Sequence, residues 1–290
     1  MVSPASGSVQ ADLDGAAGGG HNGTPMSHNG SGSIGEPALH PGIALGAAVV
    51  GTLAMLLGGR AVVGLLPLRA VITVGSVLLA LPALLALFAA RLPLARTLAL
   101  RPVERPVALW SAALGLSLWV ASLGLLELQY TVWSPPAGYL EAFRRIHEAL
   151  RPEGPLDAVL SVLAIAAAPA VFEEALVRGV MLPSFRPWLG ATGAVVASAT
   201  AFALLHLDPY RFAFTFAVGV ALGAVRLWAG ALVPCMLAHG TLNTLTFLAA
   251  PLVDDPSGPL PEPEPLLGAA LFAGGLAVTV LLFRLLRRQE

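Results

Sequence analysis

The sequence predicts an all-α, polytopic membrane bundle of about eight transmembrane helices, and three observations carry that prediction. Of the 290 residues 56% are hydrophobic and 11% charged, with a mean hydropathy of +0.79, against about 25% charged residues in soluble domains. Apolar runs of about 17 to 25 residues recur beyond position 41, each long enough to cross a hydrocarbon core of roughly 30 Å as a helix. Inside a bilayer every backbone polar group must find its partner within the protein, and runs of this length and composition do so as helices rather than barrel strands.

Taken in order, residues 1–40 are rich in Gly, Ser, Ala, Asn and Pro and have too few large apolar groups to offset ordering entropy, so a disordered N-terminal tail is expected. It lacks the basic-then-apolar pattern of a secretory signal. His21, His28 and His40 fall in or beside it; a solvated linker is expected there, with a weak metal site as the alternative. Residues 41–290 then form one membrane domain. Its spans are expected near 42–59, 70–90, 107–127, 156–182, 189–207, 210–228, 231–250 and 265–286. The long connection 128–155 contains "YLEAFRRIHEALR", in which Leu140, Phe143, Ile146 and Leu150 recur at helical spacing, the pattern of an interfacial amphipathic helix. A tight turn, "LDPYR", joins spans five and six.

All sixteen basic residues are Arg, and no basic stripe interleaved with aromatics suggests a nucleic-acid partner. With the N-terminus inside, ten of these Arg fall on the cytoplasmic side and Arg60, Arg69, Arg144, Arg145, Arg151 and Arg211 outside, so both termini are expected in the cytoplasm. Cys235, the single cysteine, reads as an inert packing residue.

The stretch "FEEALVRG", 172–179, breaks the apolar pattern of the fourth span. A charge near a helix centre costs about 2.5 to 3.5 kcal/mol on insertion scales, so three uncompensated charges would cost roughly 7 to 10 kcal/mol. Glu174 and Arg178 stand four residues apart in the favourable order and can pair, which leaves Glu173 without a local partner. The following spans add His206 in "AFALLH", and His239 with Asn243 in "HGTLN", the latter two on one helix face. Glu173 and His206 are about equally far from the turn at 186–190, hence at similar depth. A polar chamber within the bilayer is expected.

A carboxylate among apolar neighbours can act as a general base toward water. A histidine can orient that water, while a second histidine and an Asn amide can donate to the oxyanion of a tetrahedral intermediate. Ser161, Ser184 and Ser198 have no base at an activating spacing, and Cys235, one helical turn before His239, reads as packing rather than as a nucleophile. Glu173, His206 and His239 are also a zinc donor set by type, but the HExxH spacing is absent. No cofactor is therefore expected, with zinc as the alternative.

"EEALVR" (Glu173, Glu174, Arg178), "FALLH" (Phe202, His206) and "HGTLN" (His239, Asn243) resemble the EExxxR, FxxxH and HxxxN motifs of the CPBP family of intramembrane proteases, which includes the CAAX-prenyl endopeptidases and the bacterial Abi proteins. The resemblance covers about residues 156–250, and "LALRP" at 98–102 is similar to a common lead-in to the family core. It implies an eight-helix membrane fold and endoproteolysis. Glu173 would activate water, His206 would assist it, and His239 with Asn243 would form the oxyanion site. Glu174 and Arg178 would be a supporting pair. Members are often labelled metalloproteases but also described as glutamic-type, which agrees with the spacing here.

Arg-only basic usage and high Ala, Gly and Leu content look like a GC-rich bacterial genome, so a multi-pass protein of the bacterial inner membrane is expected, cleaving a membrane-anchored protein or peptide. The alternative is a non-catalytic bacteriocin-immunity or scaffold membrane protein. A transporter is disfavoured, because no internal repeat and no matched pair of broken helices is present.

Overall fold

The computed structural model describes residues 37–253 and 262–286. The expected tail with His21 and His28, the acidic pair Asp254 and Asp255, and Arg287 and Arg288 lie outside the described residues. Among those described, the chain is helical with no strand. The helices are α1 (Pro41–Val62), α2 (Leu68–Ala89), a short α3 (Leu94–Thr97), α4 (Arg105–Val132), α5 (Ala137–Ala149), α6 (Pro155–Val162), α7 (Ala168–Glu174), α8 (Leu182–Leu205), α9 (Phe212–Ala229), α10 (Val233–Val253) and α11 (Pro265–Leu286). Two π-helical segments, Leu163–Ala167 and Ala175–Met181, bracket α7.

Start signals follow the sequence. His40 caps α1 by accepting from the Gly42 N–H at 3.2 Å, and Pro41 occupies the first turn, where no N–H is needed. The outer surface is as apolar as the interior: Phe88 is 81% and Leu266 87% exposed. Large apolar groups turned outward all round the bundle suit lipid rather than water.

Six helices are long and apolar enough to cross a membrane, against about eight expected, and two elements account for the difference. The first is Pro155–Leu205, continuous in hydrogen bonding but broken in direction at Gly190, where φ is 69° and ψ −178°. The Arg178 guanidinium carbon lies 4.8 Å from the Phe202 ring centroid, whereas a straight helix would part these residues by roughly 36 Å. The chain therefore reverses at Gly190, a residue without the Cβ that disfavours positive φ. The second is α10, whose apolar run is interrupted by His239, Thr241, Asn243, Thr244 and Thr246 and which is not among the six.

Two buried clusters form the interior. One joins residues of α1, α2, the second π segment and α8 around Leu79, Leu87, Leu176, Met181 and Phe202. The other joins α4, α9, α10 and α11 around Leu114, Leu222, Cys235, Leu242 and Leu282. Helices approach closely where side chains are small, as expected when lipid supplies no hydrophobic drive between them. At Gly115 of α4 an added Cβ would lie 2.3 Å from the Ala238 carbonyl oxygen of α10. A buried hydrogen bond between the Ser117 and Thr279 hydroxyls, 2.9 Å, ties α4 to α11.

The amphipathic segment forms α5 as expected. Leu150, just beyond its end, is buried, while Ile146 is 44% exposed rather than packed. Tyr139 donates to Asp208 at 2.6 Å and rests on Tyr210, centroids 4.9 Å apart. Gln129 of α4 donates to the Tyr210 carbonyl at 2.7 Å. Thus α5 is fastened to the 206–211 turn. Burial, and then the bond to Asp208, push the Tyr139 phenol well above its ordinary pKa, so the phenol keeps the proton that it donates.

Candidate active site

The two π segments decide where the carboxylates point. A π turn closes its hydrogen bond one residue later than an α turn, widening the helix and turning the side chains that follow. Glu173 and Glu174 end α7, at the junction with the second π segment. Adjacent residues on an α-helix diverge by about 100°, yet both carboxylates here meet one histidine ring. His239 Nδ1 lies 2.9 Å from Glu174 Oε1, and its Nε2 lies 3.9 Å from Glu173 Oε2.

Glu174 is fully buried, as is Arg178. Arg178 Nη1 donates to Glu174 Oε1 at 2.6 Å, the pair expected from their spacing, and Nη2 donates to the Gly219 carbonyl of α9 at 3.0 Å. The same guanidinium covers the Phe202 ring, a cation–π contact that desolvation strengthens. One cation thereby ties together three hairpin arms and offsets the cost of burying Glu174.

With Nδ1–H given to Glu174, His239 presents Nε2 to the interior: an acceptor when the ring is neutral, a donor when it is imidazolium. His206 ends α8. Its Nδ1 lies 2.8 Å from the Phe202 carbonyl one turn back, which assigns the proton to Nδ1 and turns Nε2 outward in the neutral ring. Phe202 braces both rings edge-on, 4.7 Å from His206 and 6.0 Å from His239 between centroids.

Glu173, Phe202, His206, His239 and Asn243 all line one cavity of about 300 Å³. Its walls are apolar, from Ile165, Pro169, Phe214, Val218, Leu242 and Phe247, and His147 and Leu150 close it from the α5 side. A second, more apolar chamber of about 320 Å³ shares His147, Arg211, Phe214, Leu242 and Thr246 with it and runs beneath α5 toward Trp119 and Tyr130. The expected polar chamber is present. Glu174 and Arg178 sit behind its wall rather than on it. Among the described residues no group of three or more His, Cys, Asp or Glu is arranged as a metal-ligand set.

Fold and site together define a polytopic membrane protein with a carboxylate–histidine chamber inside its bundle. Residues 155–245 match a protein family described as Rce1-like, type II CAAX prenyl endopeptidase Rce1-like. Over that segment, about a third of the chain, the protein is similar to a family of membrane endopeptidases, the CAAX-protease branch of the CPBP group that the motifs resemble. Comparison with curated proteins and with solved structures returned no match.

Sequence reasoning left several members of the site unnamed. The Glu174–His239 bond joins residues 65 positions apart, and no local spacing announces it. His147, Arg211 and Thr215 also line the cavity, but none belongs to a motif. The amphipathic pattern of 137–149 was the available signal for His147, since it sets which face of α5 turns toward the bundle.

Proposed function

We propose that the protein hydrolyses a peptide bond of a membrane-anchored protein or peptide, with Glu173 as the base that activates water. The observation that carries this reading is the convergence of Glu173, His206, His239 and Asn243, from three helical arms, on one apolar-walled cavity. Glu173 takes a proton from water, and the resulting hydroxide bonds to the scissile carbonyl carbon. His206, through Nε2, orients the water. The carbonyl oxygen becomes an oxyanion that accepts from the Asn243 amide and from His239 Nε2–H, a role that requires the imidazolium form. The intermediate then collapses: the C–N bond breaks, the nitrogen receives the proton held by Glu173, and an acid and an amine leave. Glu174 holds His239 in register through Nδ1, and Arg178 holds Glu174.

Zinc is the alternative cofactor. The donor arrangement described above offers it no three-ligand set, and no step is routed through it. The matched family is described as a CAAX prenyl endopeptidase; for this chain the proposed substrate is the broader class of membrane-anchored proteins, a choice supported by Arg-only basic usage and high Ala, Gly and Leu content, which resemble those of a GC-rich bacterial genome. The Arg tally supports both termini in the cytoplasm.

The test is Glu173→Gln in the full chain, with membrane-protein C-termini mapped in cells carrying either form. Loss of a general base lowers turnover by about 10²- to 10⁴-fold, while thermal stability in detergent stays close to wild type, because Glu173 faces the cavity. A chelator leaves turnover unchanged. Full activity of Glu173→Gln refutes the base assignment. A wild-type protein that never shifts a terminus, though its variants alter immunity to a bacteriocin, supports the non-catalytic alternative.

A further inference from the structure

Among the described residues that line the cavity stands a cation, Arg211, that makes no ion pair. Arg211 precedes α9 and lines both the catalytic cavity and the apolar chamber. Its guanidinium carbon is held 5.7 Å from the Phe143 ring and 5.4 Å from the Phe214 ring. Aromatic faces orient a guanidinium but do not neutralise it, and its fork is suited to a carboxylate. The acidic residue nearest in sequence, Asp208, is taken: one oxygen accepts from Tyr139 and the other from the Tyr210 N–H at 3.0 Å.

Two further features point to the same place. Arg211 is the N-cap of α9, so the first N–H groups of an 18-residue helix, and the positive end of its dipole, lie beside the guanidinium. Thr215, one turn into α9, lines the cavity with only 3% of its surface exposed, and its hydroxyl has no hydrogen-bond partner among the described residues. A buried hydroxyl is seldom left unpaired without a reason. A guanidinium, a helix N-terminus and an unpaired donor thus line the same cavity as Glu173.

We infer that the start of α9, where it lines the cavity, is a carboxylate subsite, with Arg211 as its specificity-determining residue, receiving an acidic group of the substrate peptide. The inference rests on the protease reading. The acidic group is either the substrate's terminal carboxylate or an Asp or Glu side chain close to the scissile bond. The bound carboxylate fixes the register at which the chain crosses Glu173.

The experiment measures binding rather than cleavage. Full-length protein in neutral detergent micelles is titrated calorimetrically with N-acetyl-trileucine as free acid, the same peptide as its C-terminal amide, and N-acetyl-Leu-Asp-Leu amide. A charge-assisted contact predicts that one or both acidic peptides bind on the order of tenfold tighter than the neutral amide. Which one does so identifies the source of the carboxylate. Arg211→Gln removes the preference, Arg211→Lys keeps part of it, and Thr215→Val weakens it. Equal binding of all three peptides by wild type overturns the inference, as does an unchanged preference in Arg211→Gln. An Arg211→Gln effect that appears only when anionic lipid is added, alike for acid and amide, gives the cation to a lipid headgroup and also overturns it. If the preference holds while Glu173→Gln leaves proteolysis intact, the subsite stands and the base assignment falls.

Discussion

Glu174 Oε1 receives both Arg178 Nη1 and His239 Nδ1, so a single oxygen couples the stability of the bundle to the orientation of a site residue. Removing one partner of a buried pair strands the other and costs about 3 to 5 kcal/mol. Arg178→Met therefore lowers thermal stability in detergent sharply, whereas Glu173→Gln hardly moves it. Equal losses in the two variants would contradict the division between a buried clamp and a cavity-facing carboxylate. The Arg178 half of this arrangement was legible from sequence because spacing of four on a helix is a local geometric fact. The His239 half was not, because it depends on how α10 docks against the carboxylate-bearing arm. The same holds for Arg211 and Thr215, whose positions follow from the approach of α5 and α9.

Among elements, α4 sets the position of α10. Gly115 lets the Ala238 backbone come close, and Ala238 immediately precedes His239. Gly115→Val must push α10 outward, an overpacking that costs about 1 to 3 kcal/mol. Activity falls further than stability, since the displacement is delivered beside the catalytic candidate; assayed together, melting temperature and turnover separate the two effects. A variant with wild-type turnover would show that α10 is held by other contacts. The helices themselves were readable from their apolar runs, and the α5 amphipathic pattern and the 206–211 turn were readable too. The π segments were not, because Leu163–Ala167 and Ala175–Met181 have the same apolar composition as ordinary helix, and one hydrogen bond shifted by a residue leaves no mark on a hydropathy profile. The count of about eight spans came from run length alone, and Gly190 and the polar interruptions of α10 are where length and hydropathy part company.

For the whole molecule, the orientation drawn from the Arg tally can be read by labelling. Cys235 is fully buried and the single cysteine, so new cysteines can be introduced without removing it. Arg145, Arg96 and Arg186 are all exposed. An impermeant maleimide is expected to reach Arg145→Cys in intact cells, and Arg96→Cys or Arg186→Cys only after permeabilisation. The reverse pattern inverts the orientation, and labelling of Arg145→Cys and Arg186→Cys from the same side contradicts the reversal count between them.

The two wide turns around α7 have a consequence for what lengths this arm can tolerate. Each amounts to an extra residue threaded into an otherwise regular coil, so the azimuth of Glu173 and Glu174 is set by arithmetic as much as by side-chain identity. Losing one residue from Ala175–Met181 would let the coil relax to ordinary pitch and rotate everything on one side of it by about 100° against the other. Every apolar substituent could remain in place, and the carboxylates would still face the wrong neighbours. The arm behaves like a combination dial whose setting is stored in its residue count.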